Sequence, residues 1–133
     1  MYKEISVNIM QLRETADGPC IRSPDEVAIL VKDLSTSAQE QFVVLTFNTK
    51  NHLIDRHMVA LGTLDSTLVH PREVFRVAVL DAAASIIVVH NHPSGDPSPS
   101  SNDIRITKKL IEAGKIMEIP VSDHVIIGRF ENK

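Results

Sequence analysis

The stretch SIIVVHNHPSGDPSPSSND (residues 85–103) joins an apolar run to a loop that contains three prolines. The run SIIVVH (85–90) is apolar and rich in β-branched residues, which predicts a strand buried on both faces of a sheet. Proline cannot donate to a strand ladder, so this strand should end where the prolines begin. The amphipathic segment IRITKKLIEAG (104–114) follows and predicts a helix over about 101–117.

The rest of the chain adds further helices and strands around this unit. The patterns predict a helix from Ser23 to about Leu34, strands at 40–48 and 52–62, a helix opening at His70, and a last strand at 119–128. The polar turn NTKN between the first two strands favours an antiparallel hairpin. This order predicts a single α/β domain with a mixed β-sheet flanked by helices.

The first residues carry the weakest pattern. Residues 1–22 are predicted to form an N-terminal arm or an edge strand, and residues 23–133 the domain itself. Exposed hairpin strands could also pair between two chains, so a homo-oligomer is an open prediction.

Composition narrows the classes of function. The 133 residues are 43% hydrophobic and 23% charged, as in ordinary globular domains, and no apolar run is long enough to predict a membrane span. The N-terminus does not resemble a signal peptide, and the single cysteine, Cys20, cannot form an intrachain disulfide. These features predict a cytoplasmic protein. The net charge of −3 disfavours direct DNA binding through phosphate contacts.

Two histidines at the end of the central strand are candidate metal ligands. Residues two apart in an extended backbone point to the same side, so His90 and His92 should project together while Asn91 faces away. Imidazole is a preferred ligand of zinc. Strand ends of this kind are also where α/β sheets place ligand sites.

A carboxylate in the next helix could complete this site. Asp103 falls near the helix start and shares one face with Thr107, Leu110, Gly114 and Met117, which should pack on the sheet. A buried carboxylate needs a partner, and a metal ion would supply one. Ser100 and Asp103 also have the spacing of a capping box, so a capped loop with incidental histidines is an equal alternative at this point.

The motif resembles that of a known enzyme family. His-x-His, seven residues, serine, two residues and aspartate are met at His90, His92, Ser100 and Asp103, as in the JAMM/MPN+ (Mov34/JAB) zinc metalloproteases. The wider stretches HPREVFRVAVLDAAASIIVVH (70–90) and IPVSDHVIIG (119–128) resemble the RadC-type branch of that family. The resemblance covers about 23–128 and implies an α/β fold related to the cytidine deaminases.

The resemblance also implies roles for individual residues. It implies one zinc ion per chain, held by His90, His92 and Asp103, with Ser100 stabilising the oxyanion. The family requires an upstream glutamate as general base, for which Glu40 is the first candidate and Glu73 the rival. Glu73 occupies a first helical turn, where an acid stabilises the helix dipole without any further function.

Two more polar residues lie near these positions in the sequence. His124 and Asn102 are candidates for supporting contacts to the ligands or to the substrate, and a structural role for His124 is the alternative. His52, His57 and His70 lack ligand spacing and are predicted to be surface or local structural residues.

The function predicted from these features is zinc-dependent hydrolysis of a peptide or isopeptide bond in a peptide or protein substrate. The alternatives are a RadC-like protein associated with DNA repair or mobile elements that lacks proteolytic activity, and a non-catalytic interaction module. A deaminase is disfavoured, because that chemistry uses His-x-Glu followed by Pro-Cys-x-x-Cys. This chain has no Cys-x-x-Cys.

Overall fold

The structure, a computed structural model, describes residues 18–62 and 69–128. In chain order the elements are α1 (Pro24–Leu30), a 3-10 turn (Lys32–Thr36), β1 (Gln41–Phe47), β2 (Leu53–Leu61), α2 (Pro71–Leu80), β3 (Ser85–Asn91), α3 (Ser101–Met117) and β4 (Val121–Ile127). The four described strands form one sheet in the order β2-β1-β3-β4.

The sheet is mixed, as predicted. β1 pairs antiparallel with β2, which confirms the hairpin, and antiparallel with β3 on its other side. β3 and β4 are parallel, with α3 as the connection between them. The carboxyl end of β3 therefore lies in the interior of the sheet, between β1 and β4, where the following loop and α3 meet it.

Apolar side chains cover the sheet on both faces. One face packs against α2 and α3 through Val74, Phe75, Ala78, Ile106 and Leu110. The other packs against α1 and the 3-10 turn through Val27, Val31 and Leu34. β1 is buried from Phe42 to Phe47, which is what a strand covered on both faces requires.

Helix α1 is shorter than predicted. The α-helix ends at Leu30 rather than near Leu34, and the chain continues as the 3-10 turn. The hydroxyls of Ser35 and Thr36 donate to the carbonyls of Lys32 and Asp33. Such side-chain bonds compete with α-helical hydrogen bonding, while the tighter turn still buries Leu34.

Residues 1–17 of the predicted arm lie outside the described residues, so the division at residue 22 stays a prediction. Within the described part, Cys20 forms an isolated antiparallel bridge with His52. None of the helices described in 18–62 and 69–128 is both long and apolar enough to cross a membrane.

Candidate metal centre

Both predicted histidines lie at the carboxyl end of β3, His90 within the strand and His92 directly after it. His90 pairs with Phe42 of β1 and is 1% exposed. The Nε2 atoms of His90 and His92 lie 2.9 Å apart. The strand alternation therefore brings the two imidazoles together, as predicted.

Asp103 points inward from the first turn of α3. Its side chain is buried, with Oδ1 3.0 Å from His90 Nε2 and Oδ2 3.1 Å from His92 Nε2. Leu110 and Gly114, on the same helical face, are also buried. Met117 was wrongly predicted to share that burial, since it is 45% exposed in the last turn of α3.

The capping box is present together with the cluster. The Ser100 hydroxyl accepts from the Asp103 amide at 3.1 Å, and Asp103 Oδ2 accepts from the Ser100 amide at 2.7 Å. The capped-loop alternative was thus right about the local structure. Since the cap uses Oδ2, Oδ1 is the oxygen better placed to serve as a ligand.

The loop after β3 fixes the tautomer of His92. Its Nδ1 lies 2.9 Å from the carbonyl of Asp96, and a carbonyl can only accept, so Nδ1 carries the proton. The Nε2 lone pair of His92 then faces His90 and Asp103. Asp96 holds the loop itself, because its Oδ1 accepts from the Ser98 amide in a local turn.

The donor set fits a zinc ion. Two imidazole nitrogens and a carboxylate oxygen form a group whose ligand atoms lie close together. His90 Nε2 lies 2.9 Å from His92 Nε2 and 3.0 Å from Asp103 Oδ1, distances that approach the roughly 3.3 Å between ligand atoms of tetrahedral zinc. Three protein ligands with a fourth position left for solvent or substrate are typical of catalytic zinc sites.

The surroundings of His90 and Asp103 lower the pKa values of both groups, which favours binding of a cation. Burial lowers the pKa of His90 to about 4, with a further contribution from neighbouring His124. Burial acts to raise the pKa of Asp103, but the hydrogen bond from the Ser100 amide and the nearby histidines outweigh it and the net pKa is lowered. Both groups are therefore unprotonated at neutral pH, as metal ligands must be.

This depressed pKa predicts an acid-sensitive fold in the metal-free protein. The unfolded chain protonates His90 near pH 6.5, whereas the folded chain does so only near pH 4. The contribution of neutral His90 to the free energy of unfolding is fully present above about pH 6.5 and is lost as the pH falls through about 4. The free energy of unfolding should change by about 3 kcal/mol over this range. Urea unfolding of chelator-treated protein across this range measures it. A His90→Gln variant should show a clearly shallower pH dependence, and equal slopes would contradict the assignment.

Phe42 and His124 both contact the ring of His90. Phe42 is fully buried and stacks on the His90 ring, with centroids 6.0 Å apart. His124 of β4 places Nε2 2.7 Å from His90 Nδ1. The predicted supporting position of His124 is thus in contact with a candidate ligand.

A cleft beside the cluster brings the other predicted residues together. Glu40, Ser100, His92 and Asp103 line the same cleft of about 530 Å³. Glu40 immediately precedes β1, and its carbonyl accepts from the Gly62 amide at 2.9 Å. The exposed side chain of Glu73, in the first turn of α2, does not line this cleft.

Asn91 is a residue whose role the sequence did not reveal. It is 1% exposed, on the opposite face of β3 from the histidines. Its Oδ1 accepts from the Gln41 amide at 2.7 Å, and its Nδ2 donates to the Gln39 carbonyl at 3.0 Å. Asn91 therefore holds the backbone on both sides of Glu40. The partners are about fifty residues away in sequence, so no local pattern could have indicated them.

The remaining predicted residues are placed as follows. Asn102 is half-buried beside Asp103, and its role stays a prediction. His52 Nδ1 lies 3.0 Å from the Gly18 carbonyl, a local structural contact. His57 Nε2 lies 2.6 Å from Asp81 Oδ2, and this hydrogen bond offsets the unfavourable carboxylate at the C-terminus of α2.

Comparison with known proteins shows which family this chain resembles. Residues 21–132 match the family model of the RadC-like JAB domain. A UPF0758 protein of Desulforamulus reducens is 55% identical over 109 residues, and UPF0758 proteins of Bacillus cereus and Bacillus anthracis are 53% identical over the same length. Each alignment covers 81% of this chain and 48% of the relative, so the chain spans about half the length of the curated relatives it matches.

Proposed function

Because the chain belongs to the family of RadC-like JAB domains, we propose that it is a zinc-dependent hydrolase of peptide or isopeptide bonds. The observation that carries the proposal is the cleft in which Glu40 and Ser100 lie with His92 and Asp103. A candidate base and a candidate hydrogen-bond donor thereby adjoin the same three-ligand group.

His90, His92 and Asp103 would hold the zinc ion. When bound, zinc would act as a Lewis acid that polarises the scissile carbonyl and activates water for attack. His90 and Asp103 are unprotonated at neutral pH, because burial lowers the pKa of His90 and the Ser100 amide helps to lower that of Asp103. Metal binding then requires little proton release from the site.

Glu40 would act as general base and then as general acid. Its carboxylate would take a proton from the attacking water and pass it to the departing amine, which completes hydrolysis without a change in the enzyme. Such transfer needs a fixed geometry. The Gly62 amide and Asn91 provide it by holding the Glu40 carbonyl and the neighbouring backbone.

Ser100 would stabilise the oxyanion that forms on the substrate. Its hydroxyl oxygen accepts the capping bond from Asp103, and a hydroxyl can donate its proton at the same time. A donor aimed at developing negative charge lowers the barrier more than it strengthens substrate binding. One hydroxyl can therefore serve both the helix cap and the reaction.

Hydrolysis can be tested without knowledge of the natural substrate. The zinc-loaded protein is incubated in ¹⁸O-labelled water with a synthetic mixture of linear peptides and peptides branched through a lysine side-chain amide. We expect new carboxyl groups that carry ¹⁸O, detected by mass spectrometry, and no such products after treatment with a chelator. Preference for the branched peptides would identify an isopeptidase.

The same experiment can fail in an informative way. Zinc-loaded protein that produces no labelled carboxyl groups from either peptide class would contradict the proposal. A salt-sensitive mobility shift of a DNA fragment by that protein would instead support the DNA-associated alternative.

A further inference from the structure

A closed circuit of polar contacts passes behind the candidate metal centre. The Thr107 hydroxyl donates to the Asp103 carbonyl at 2.7 Å and also contacts Nδ1 of His124 at 2.5 Å. His124 Nε2 lies 2.7 Å from His90 Nδ1, and His90 Nε2 returns to Asp103 Oδ1 at 3.0 Å. The circuit thus begins at the backbone of Asp103 and ends at its carboxylate.

The carbonyl at one end sets the direction of the three hydrogen bonds between it and His90. A carbonyl only accepts, so the single proton of the Thr107 hydroxyl is used there. The hydroxyl oxygen must then accept from His124, which places the His124 proton on Nδ1. A neutral imidazole has one N–H, so His124 Nε2 accepts from His90 Nδ1–H. The last contact, from His90 Nε2 to Asp103 Oδ1, then joins two acceptors, as expected where both atoms share a cation.

We propose that Thr107 and His124 are positioning residues that hold His90 in the Nδ1–H tautomer and keep its Nε2 lone pair available to a metal ion. The inference rests on the metal centre of the proposed function. Neither residue touches the cleft that Glu40 lines; both lie along a separate groove between α3 and β4. They act on the reaction only through the candidate metal ligands that they contact.

The opposite direction would block the site. If the Thr107 proton pointed at His124, the His124 proton would move to Nε2 and His90 would have to accept at Nδ1. The His90 proton would then lie on Nε2, facing Asp103 Oδ1 at 3.0 Å and His92 Nε2 at 2.9 Å, in the position that a metal ion needs. Removing the hydroxyl removes the group that excludes this arrangement, since His124 is then unconstrained at Nδ1.

Substitution of Thr107 tests the proposal through zinc affinity. Thr107→Val keeps the branched shape and loses the hydroxyl, and we expect zinc binding to weaken about 10- to 100-fold, as when other outer partners of metal ligands are lost. Thr107→Ser restores the hydroxyl and should bind within about threefold of the original protein. Competition with a chromophoric chelator at pH 8 measures both constants.

Thr36→Val is the matched control. Thr36 donates to the carbonyl of Asp33, a similar bond from a threonine hydroxyl to a nearby backbone carbonyl, but in the 3-10 turn. Its loss should leave zinc affinity unchanged. Equal affinity of Thr107→Val and the original protein would overturn the proposal, as would equal weakening in the Thr36 variant.

Histidine tautomers provide a readout that needs no substrate. In zinc-loaded protein labelled with ¹⁵N-histidine at pH 8, we expect both His90 and His124 to carry the proton on Nδ1. A proton on Nε2 of either ring would overturn the proposal. This outcome is separate from failure of the proposed function, which would appear as absence of zinc binding or of hydrolysis in the original protein.

Discussion

Replacing His92 with alanine is expected to lower zinc content from one ion per chain to a small fraction after dialysis. Structural zinc sites with four ligands bind the ion with a free energy of about 10–16 kcal/mol. Each ligand therefore contributes about 3 kcal/mol, and its loss should weaken zinc binding about a hundredfold. His92 is preferable to His90 for this test. The His90 ring is buried against Phe42, and its removal would also leave a cavity in the core.

Metal analysis of the purified variant and a chelator titration measure this effect. His70→Ala is the matched control, because His70 is also half-buried and makes no capping bond at the start of α2. The control should retain one zinc ion per chain. A His92→Ala protein that retained a full zinc ion would show that the three-ligand group is not the binding site.

Replacing Glu40 with glutamine is expected to reduce the rate of ¹⁸O incorporation by about 10²–10⁴-fold, the range typical of general acid–base catalysis. Glutamine preserves the size of the side chain but cannot accept and return a proton at neutral pH. Since Glu40 is not one of the three ligands, zinc content should stay at one ion per chain.

The rival base supplies the control for this second experiment. Glu73→Gln changes an exposed acid in the first turn of α2, so the rate should stay within about twofold and stability should fall by less than about 1 kcal/mol. A large loss of rate in the Glu73 variant, with the Glu40 variant unaffected, would reverse the assignment of the base.

Sequence periodicity was sufficient to predict the geometry of the ligands. The period of two in β3 placed His90 and His92 on one side, and the helical period of α3 turned Asp103 inward. Both arguments depend only on the local backbone, which the run of β-branched residues and the amphipathic pattern specify. The same helical argument was wrong for Met117, because periodicity specifies a face of the helix and not how far along the helix that face is covered.

Contacts between elements distant in the chain could not be predicted in this way. Asn91 holds the backbone beside Glu40, and Thr107 meets His124 across the space between α3 and β4. These contacts depend on strand order and on the packing of α3 against the sheet, which no short pattern specifies. The early end of α1 likewise depends on side-chain bonds that compete with the helix.

The side chains of residues 90–92 point alternately to the two faces of the sheet. A change in the length of this segment should therefore be more harmful than the exchange of one residue. Substitution of one residue removes either a ligand or the contact that holds the backbone beside Glu40. A single-residue insertion just before His90 would turn both imidazoles to the opposite face and Asn91 toward Asp103. Zinc binding and the placement of Glu40 would then be lost together. Natural variation at this strand end should therefore take the form of residue exchange and never of insertion or deletion.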